Sequence, residues 1–390
     1  MTHKMKILVM ILSLMVLGGC ASQKNLQNTE NVVDTVVIES DDVTEVMEEI
    51  TAEETEGETT EEIVEVEETV PEEKEVIISL AGDCSLGKLS IHGYEGTLYE
   101  YYDNYGAAYF FNNVKSLFGQ DDMTLVNFEG VLTTSNDIQE KQYNIKGEPE
   151  FKYILEEGSV EAVSFGNNHR MDYGQQGVDD TIAAFDDVNV VYAYDENLGI
   201  YETEKGIRIG FVSVNEIYEG RAVEGKLEKG IAELKEKTDL VIACCHWGQE
   251  LQHYPNSYQK ELGRKCIDWG ADLVVGAHPH VLQGIDYYNG KYIVYSLGNF
   301  CFGGNLNPKR KNTMIVQAIA RFDEAGLKEE MQLIVIPCTI SSIDNWNDYC
   351  PTIAEGERWE EIINSVKEYS AAFPVVIEED GMVIPQKVEN

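Results

Sequence analysis

A chain of 390 residues with 43% hydrophobic content is long enough for one large domain or two ordinary ones. Its formal net charge of −41, with no basic stripe to meet phosphates, argues against nucleic acid as a partner.

The chain opens with Lys4 and Lys6 ahead of an apolar run over 7–17 that ends in Leu17, Gly18, Gly19 and Cys20. That run is shorter than the roughly 20 apolar residues a membrane-spanning helix needs, so it reads as a signal segment. The small residues before Cys20 resemble a bacterial lipobox, which implies cleavage there and lipid on the Cys20 sulfur; an uncleaved N-terminal anchor is the alternative. Either way the chain is expected to be exported and tethered to the membrane on its extracytoplasmic face. Residues 21–75 then carry 20 Asp and Glu against Lys24 and Lys74. Such a segment buries too little apolar surface to offset its conformational entropy and reads as an acidic disordered linker. A flexible coil of this length reaches roughly 40 Å. The Glu run could also bind calcium or cell wall, but a solvated spacer is the simpler reading.

From residue 75 onward, β-branched runs recur at 76–81, 124–128, 162–165, 188–193, 207–214, 240–245, 272–277, 292–297, 314–320 and 331–337. They alternate with helical patterns over 110–118, 150–156, 175–185, 226–237 and 257–269. This alternation predicts an α/β domain with largely parallel strands, and so many strands predict two sheets packed face to face with helices outside. The domain spans 76–342, and residues 343–390 form a C-terminal extension packed on it, with a helix over 359–369. Besides Cys20 there are seven cysteines with no CxxC pair, so most read as small core residues, and a Cys338–Cys350 disulfide is left open. The tyrosines at 99, 101, 102, 105 and 109 either line a groove or form an aromatic insertion packed on the domain.

Ligand-capable residues follow the apolar part of strand after strand: Asp83; Asn127 and Glu129; Asn168 and His169; His246; His278 and His280. Ligands of open α/β sheets bind at the carboxyl ends of strands, so one site should collect them all. Carboxylate, amide and imidazole together suit a borderline divalent ion such as Zn, Mn or Fe, and one carboxylate can bridge two ions that activate water. Four of the seven histidines lie at these ends. Trp247 is a substrate platform or a packing residue. Gln283, Ser296 and Asn299 are candidates to orient ligands, with Gln283 favoured because it follows the histidine pair. His92 and His253 read as surface residues.

The ordered motifs Gly82-Asp83-Cys84-Ser85-Leu86-Gly87, Asn127-Phe128-Glu129-Gly130, Gly166-Asn167-Asn168-His169, His246-Trp247-Gly248, Gly276-Ala277-His278-Pro279-His280 and Ser296-Leu297-Gly298-Asn299-Phe300 resemble the CapA family of poly-γ-glutamate capsule synthesis proteins. That family is similar to the calcineurin-like metallophosphoesterases, which implies a four-layer α/β/β/α sandwich. The resemblance implies Asp83 and His280 on one metal, Glu129 as the bridge, and Asn168, His246 and His278 on a second. It implies His169 as a general acid held by Asp172. From their places beside these motifs, Asn127, Trp247 and Gln283 are expected near the substrate. The chain departs from the wider phosphoesterases where Cys84-Ser85 replaces a ligand histidine, where Glu129 replaces a bridging aspartate, and where Arg170 follows the Asn-His pair. These departures imply a weaker first metal site or a harder ion in it. The implied function is a part in making, exporting or anchoring an anionic capsule polymer, alongside membrane-bound synthase or export proteins. A general metal-dependent phosphatase or phosphodiesterase and a non-catalytic polymer-binding component are the alternatives.

Overall fold

The computed structural model describes residues 73–328 and 331–386. The signal segment, its Cys20 and nearly all of the acidic linker lie outside the described residues. Among the described residues no helix is long and apolar enough to cross a membrane.

Two sheets make the core. The larger has 11 strands, and its main path runs Val375–Ile377, Met382–Pro385, Gln332–Thr339, Asn312–Asp323, Lys74–Ser85, Met123–Phe128, Ala162–Ser164, Val191–Ala193. The smaller has six, in the order Ile285–Tyr288, Lys291–Val294, Leu273–Ala277, Leu240–His246, Arg208–Asn215, Gly199–Glu202. Strand side chains alternate between faces, and the burial follows that period. In Asn312–Asp323 the residues Met314, Val316, Ala318, Ala320 and Phe322 enter the core shared by the two sheets, while Ile315 packs into the core on the opposite face.

Helices close both outer faces. Leu98–Tyr105, Lys152–Glu157 and Gly174–Asp187 cover the larger sheet, where Phe128, Phe165 and Phe185 meet edge to face at 4.9–6.0 Å. Val223–Lys235 and Ser257–Asp268 cover the smaller, burying Leu227, Ile231, Leu262 and Cys266. The second of these begins with a capping box in which Asn256 and Gln259 satisfy each other's backbone N–H groups. The result is the expected α/β/β/α sandwich. The sheets are also pinned to each other near their site-bearing edge, where Ser164 and Ser213 hydroxyls lie 2.7 Å apart and Gly166 N–H donates to Ser213 Oγ at 2.8 Å.

The strand directions correct the expectation of largely parallel sheets. Lys74–Ser85 is parallel to Met123–Phe128 on one side but antiparallel to Asn312–Asp323 on the other, so half of the larger sheet is antiparallel. The segment after 342 is likewise woven into the sheet rather than laid on it: Thr352–Ile353 and Met382–Pro385 both pair with Gln332–Thr339, and the helix Gly356–Ser370 packs beside them.

The seven described cysteines are buried and free. Cys338 and Cys350 form no disulfide, and their thiols donate to different carbonyls, Ile336 and Tyr109. Four of the five tyrosines, at 99, 101, 102 and 109, pack against the core, with Tyr99 meeting Phe151 at 4.9 Å and Tyr101 meeting buried Tyr349 at 5.3 Å, while Tyr105 is exposed.

Candidate metal centre

The parallel strands of both sheets deliver their carboxyl ends to one place. Lys74–Ser85 ends in Asp83, Met123–Phe128 runs into Glu129, Leu240–His246 ends in His246, and the turn after Leu273–Ala277 carries His278 and His280. Asp83 is aimed by an irregularity in its strand at Gly82, where an added Cβ would sit 1.9 Å from the Gly298 carbonyl oxygen. Only glycine allows that approach, and it permits the Asp83 N–H to bond the same oxygen at 2.9 Å.

The histidine turn carries two left-handed residues within three positions. His278 has φ 94° and His280 φ 56°, conformations that cost non-glycine residues about 1–3 kcal/mol each. With this backbone both rings bring a nitrogen within 4.8 Å of a Glu129 carboxylate oxygen.

Glu129 is the centre of the group. It is fully buried, and neither carboxylate oxygen has a hydrogen-bond partner among the described residues. Around its Oε1 stand the Nε2 atoms of His169 and His280 at 3.7 Å each and of His246 at 4.0 Å. Donor atoms of Glu129, His278 and His280 lie within 4.8 Å of one another. These separations are too long for hydrogen bonds, and they match donors that share an ion at about 2.0–2.2 Å from each. Nδ1 of His246 and of His278 are also buried without partners among the described residues. The residues therefore fit a divalent cation, since a buried carboxylate and several imidazole lone pairs left without protons to bind are costly otherwise.

The proton affinities agree with that fit. Burial raises the Glu129 carboxyl well above its usual range, with His280 opposing and Asp83 and Asp172 adding to the rise. Burial and then the His280 charge lower His278 to about 3, and burial and the neighbouring histidines push His246 down as well. His280 goes the other way: burial opposes its charge, but Glu129 and Asp83 outweigh burial and raise it.

A second ring of residues orients the first. Asp83 accepts from Asn127 Nδ2 at 2.8 Å and lies 2.9 Å from His280 Nδ1, which is also 2.9 Å from Asn299 Oδ1. Asn168 Oδ1 is 3.0 Å from His246 Nε2. His169 Nδ1 is 2.7 Å from Asp172 Oδ2, which also accepts from Ile145 N–H at 2.6 Å. Lys141 closes this arm with an ion pair to Asp172 Oδ1 and a 2.9 Å bond to the Asn168 carbonyl. Burial lowers the His169 imidazolium affinity, and Asp172 partly restores it.

The structure thus brings together Asp83, Asn127, Glu129, Asn168, His169, Asp172, His246, His278 and His280. Two expected substrate residues lie elsewhere. Trp247 is fully buried, donates from Nε1 to the Tyr295 carbonyl at 2.9 Å, and belongs to the core. Gln283 is fully buried between Gln259 Nε2 at 2.9 Å and the Gln252 carbonyl at 2.8 Å. Asn127 turns its Nδ2 to Asp83 and so supports that carboxylate. Arg170 pairs with Asp195 at 2.5 Å and stacks on Tyr194. His92 and His253 are half-buried and outside the cluster. Sequence reading missed Lys141, which sits in an irregular loop with no period or motif to single it out.

The sequence model of the family described as bacterial capsule synthesis protein PGA_cap matches residues 77–304. The PGA biosynthesis protein CapA of Bacillus subtilis (strain 168) is 32% identical over 231 residues, covering 54% of this chain and 61% of that protein. The capsule biosynthesis protein CapA of Bacillus anthracis is 28% identical over 272 residues, covering 63% and 64%. This chain therefore spans less than two thirds of the length of either relative. A probable polyglutamine synthesis accessory protein of Mycobacterium tuberculosis is 24% identical over 208 residues, covering 46% and 55%. Among solved structures, the purple acid phosphatase PPD1 from yellow lupin covers 73% of this chain and 57% of its own at 10% identity, with a TM-score of 0.32.

Proposed function

Because the chain belongs to the bacterial capsule synthesis protein family PGA_cap, we propose that it takes part in making, exporting or anchoring poly-γ-glutamate or a related anionic polymer, through a divalent-metal site. One observation carries the metal site: Glu129, buried with both oxygens lacking hydrogen-bond partners among the described residues and faced by three imidazoles. Glu129, His246, His278, His280 and Asp83 would hold the divalent metal. A bound divalent ion supplies Lewis-acid polarisation of a substrate oxygen and attraction for an anionic chain. The chain as a whole carries a net charge of −41, so such a polymer would be drawn only to locally cationic places such as this one.

In the finer reading the site hydrolyses a phosphoester-type bond. His169 is then the proton donor to the leaving group. Asp172 keeps its Nδ1 occupied, so Nε2 is the nitrogen presented to the cluster. Cys20 lipidation would place the domain at the outer face of the cell membrane, near the membrane proteins that handle the polymer.

The test measures metal content and polymer output together, in cells whose own copy is replaced by wild type, Glu129→Ala or His278→Ala. Loss of bound metal with loss of polymer is expected. A folded Glu129→Ala protein that supports full polymer output would overturn the metal-dependent role.

A further inference from the structure

The turn that carries the two site histidines runs on into Val281 and Leu282, and these form one wall of a cavity of about 540 Å³. Residues 307–312 form another wall. They read Asn-Pro-Lys-Arg-Lys-Asn and contain the only three consecutive cations in the chain. Arg358 adds a fourth positive group from the helix Gly356–Ser370.

These four cations are not equally committed. Lys311 donates to the carbonyls of Asp344 at 2.8 Å, Ile343 at 3.3 Å and Trp346, which draws 343–346 across the cavity. Arg358 is matched by Glu361 at 3.1 Å and Asp344 at 3.6 Å. Arg310 gives one nitrogen to the Leu251 carbonyl at 3.2 Å. Lys309 is exposed and has no hydrogen-bond or ion-pair partner among the described residues. The two acids of the lining are thus matched to Arg358, and Lys309 and most of Arg310 are left over. Hydroxyl and amide groups of Asn307, Thr339, Ser341 and Ser365 fill the intervening surface.

The cavity is tied to the metal centre by the chain itself. Leu251, which accepts from Arg310, donates its own N–H to the Pro279 carbonyl at 2.8 Å, between His278 and His280. A water occupies roughly 30 Å³, so the volume is far larger than a single small anion needs. We infer that this cavity is a docking groove for an extended oligocarboxylate, gripped by Lys309 and Arg310 and led toward the metal centre along the 278–282 turn. The choice of carboxylate over phosphate rests on the polymer proposed above; the unspent cations do not.

The experiment titrates an eight-residue γ-glutamate oligomer into the full metal-loaded chain by calorimetry, with the neutral γ-glutamine oligomer and inorganic phosphate as comparison probes. Lys309→Gln with Arg310→Gln should weaken oligomer binding at least tenfold without changing metal content, and Lys309→Glu alone should weaken it more than Lys309→Gln alone. Raised salt should weaken it further, and the neutral oligomer should not bind. Unchanged affinity in the double variant overturns the groove, as does binding that disappears on chelation yet ignores both cations. Inorganic phosphate binding with the same loss in the double variant, and no oligomer binding, overturns the carboxylate assignment. Polymer output indifferent to Glu129→Ala would sink the proposed function and leave this titration standing.

Discussion

Glu129 Oε1 lies 3.7 Å from Nε2 of His280, close enough to set each other's proton affinity and too far for a hydrogen bond. A metal-free protein must keep a buried carboxylate without a hydrogen-bond partner there, with His280 as its main counter-charge. A cation between them would remove that cost, and the gain would appear as stability, because ions that bind only the folded chain stabilise it by mass action.

Two opposite effects of Glu129→Gln follow. In metal-free protein the neutral amide relieves a desolvated carboxylate, so the melting temperature should hold or rise. In the presence of excess Mn or Zn the wild type should gain several degrees on metal addition and the variant much less. Scanning calorimetry with and without chelator checks both. A variant that is destabilised without metal and stabilised as strongly as wild type with it would contradict the reading.

Asn299 and Gln283 exchange the importance their positions suggested. Asn299 Oδ1 sits 2.9 Å from His280 Nδ1, whereas Gln283 bonds Gln259 and Gln252. Partners of this kind are worth about 10–100-fold in metal affinity. Asn299→Leu should weaken metal binding by about tenfold in a competition titration against a chelator. Gln283→Leu should leave metal affinity unchanged and cost about 1–3 kcal/mol of stability, because it orphans the buried Gln259 amide.

Much of the arrangement was legible because strand cores and strand ends have strong local signatures. The runs around Val76, Val241 and Val274 could be read as strands, and the ligand types after them as one site. What the sequence hid was direction. A wholly buried strand such as Leu240–His246 has no polar face to betray its neighbours, and Asn312–Asp323 looks the same whether parallel or antiparallel. Side-chain direction was partly recoverable. Consecutive strand residues point to opposite faces, so His246 aimed at the site sends Trp247 away from it, and Asn127 and Glu129 share a side while Phe128 faces the core. Gln283 lies beyond a turn whose path local spacing does not fix.

Trp247 therefore behaves as a core residue. Trp247→Phe removes the donor to Tyr295 and leaves a void, and should cost about 2 kcal/mol in denaturant unfolding. Metal affinity and polymer output at a permissive temperature should match wild type. A selective loss of output with unchanged stability would restore the platform role.

At the far end of the strand Met123–Phe128 two carboxylates bracket Thr124: Glu161 accepts its N–H at 2.7 Å and Asp121 its hydroxyl at 2.7 Å. Burial, countered by hydrogen bonds from Ser79 and Thr124, moves Asp121 up to about 6; burial and then Asp121 move Glu161 up to about 7. A raised carboxyl is protonated more readily in the folded chain, so its contribution is favourable below the unfolded value and is lost as pH climbs through the folded one. Stability should fall between about pH 4 and 7, by on the order of 1 kcal/mol after solvent screening. Glu161→Gln keeps an acceptor for Thr124 and should flatten that decline in urea unfolding at pH 5 and pH 8.

Lys141 should prove the residue that sets His169. Its ammonium pairs with Asp172, whose side chain is fully buried, and lies 3.3 Å from His169 Nδ1. That positive charge lowers the affinity of His169 for a second proton, against the raising effect of Asp172. In Lys141→Met the Asp172 carboxylate keeps its bonds from Ile145 and His169 but loses its cation, so the His169 midpoint should rise, and stability should drop by about 2 kcal/mol. Lys141→Arg should recover most of both. The ring-proton shift of His169 followed against pH by NMR separates this from a purely structural role: a loss of stability with an unmoved midpoint would mean that Lys141 props the loop and does not tune the imidazole.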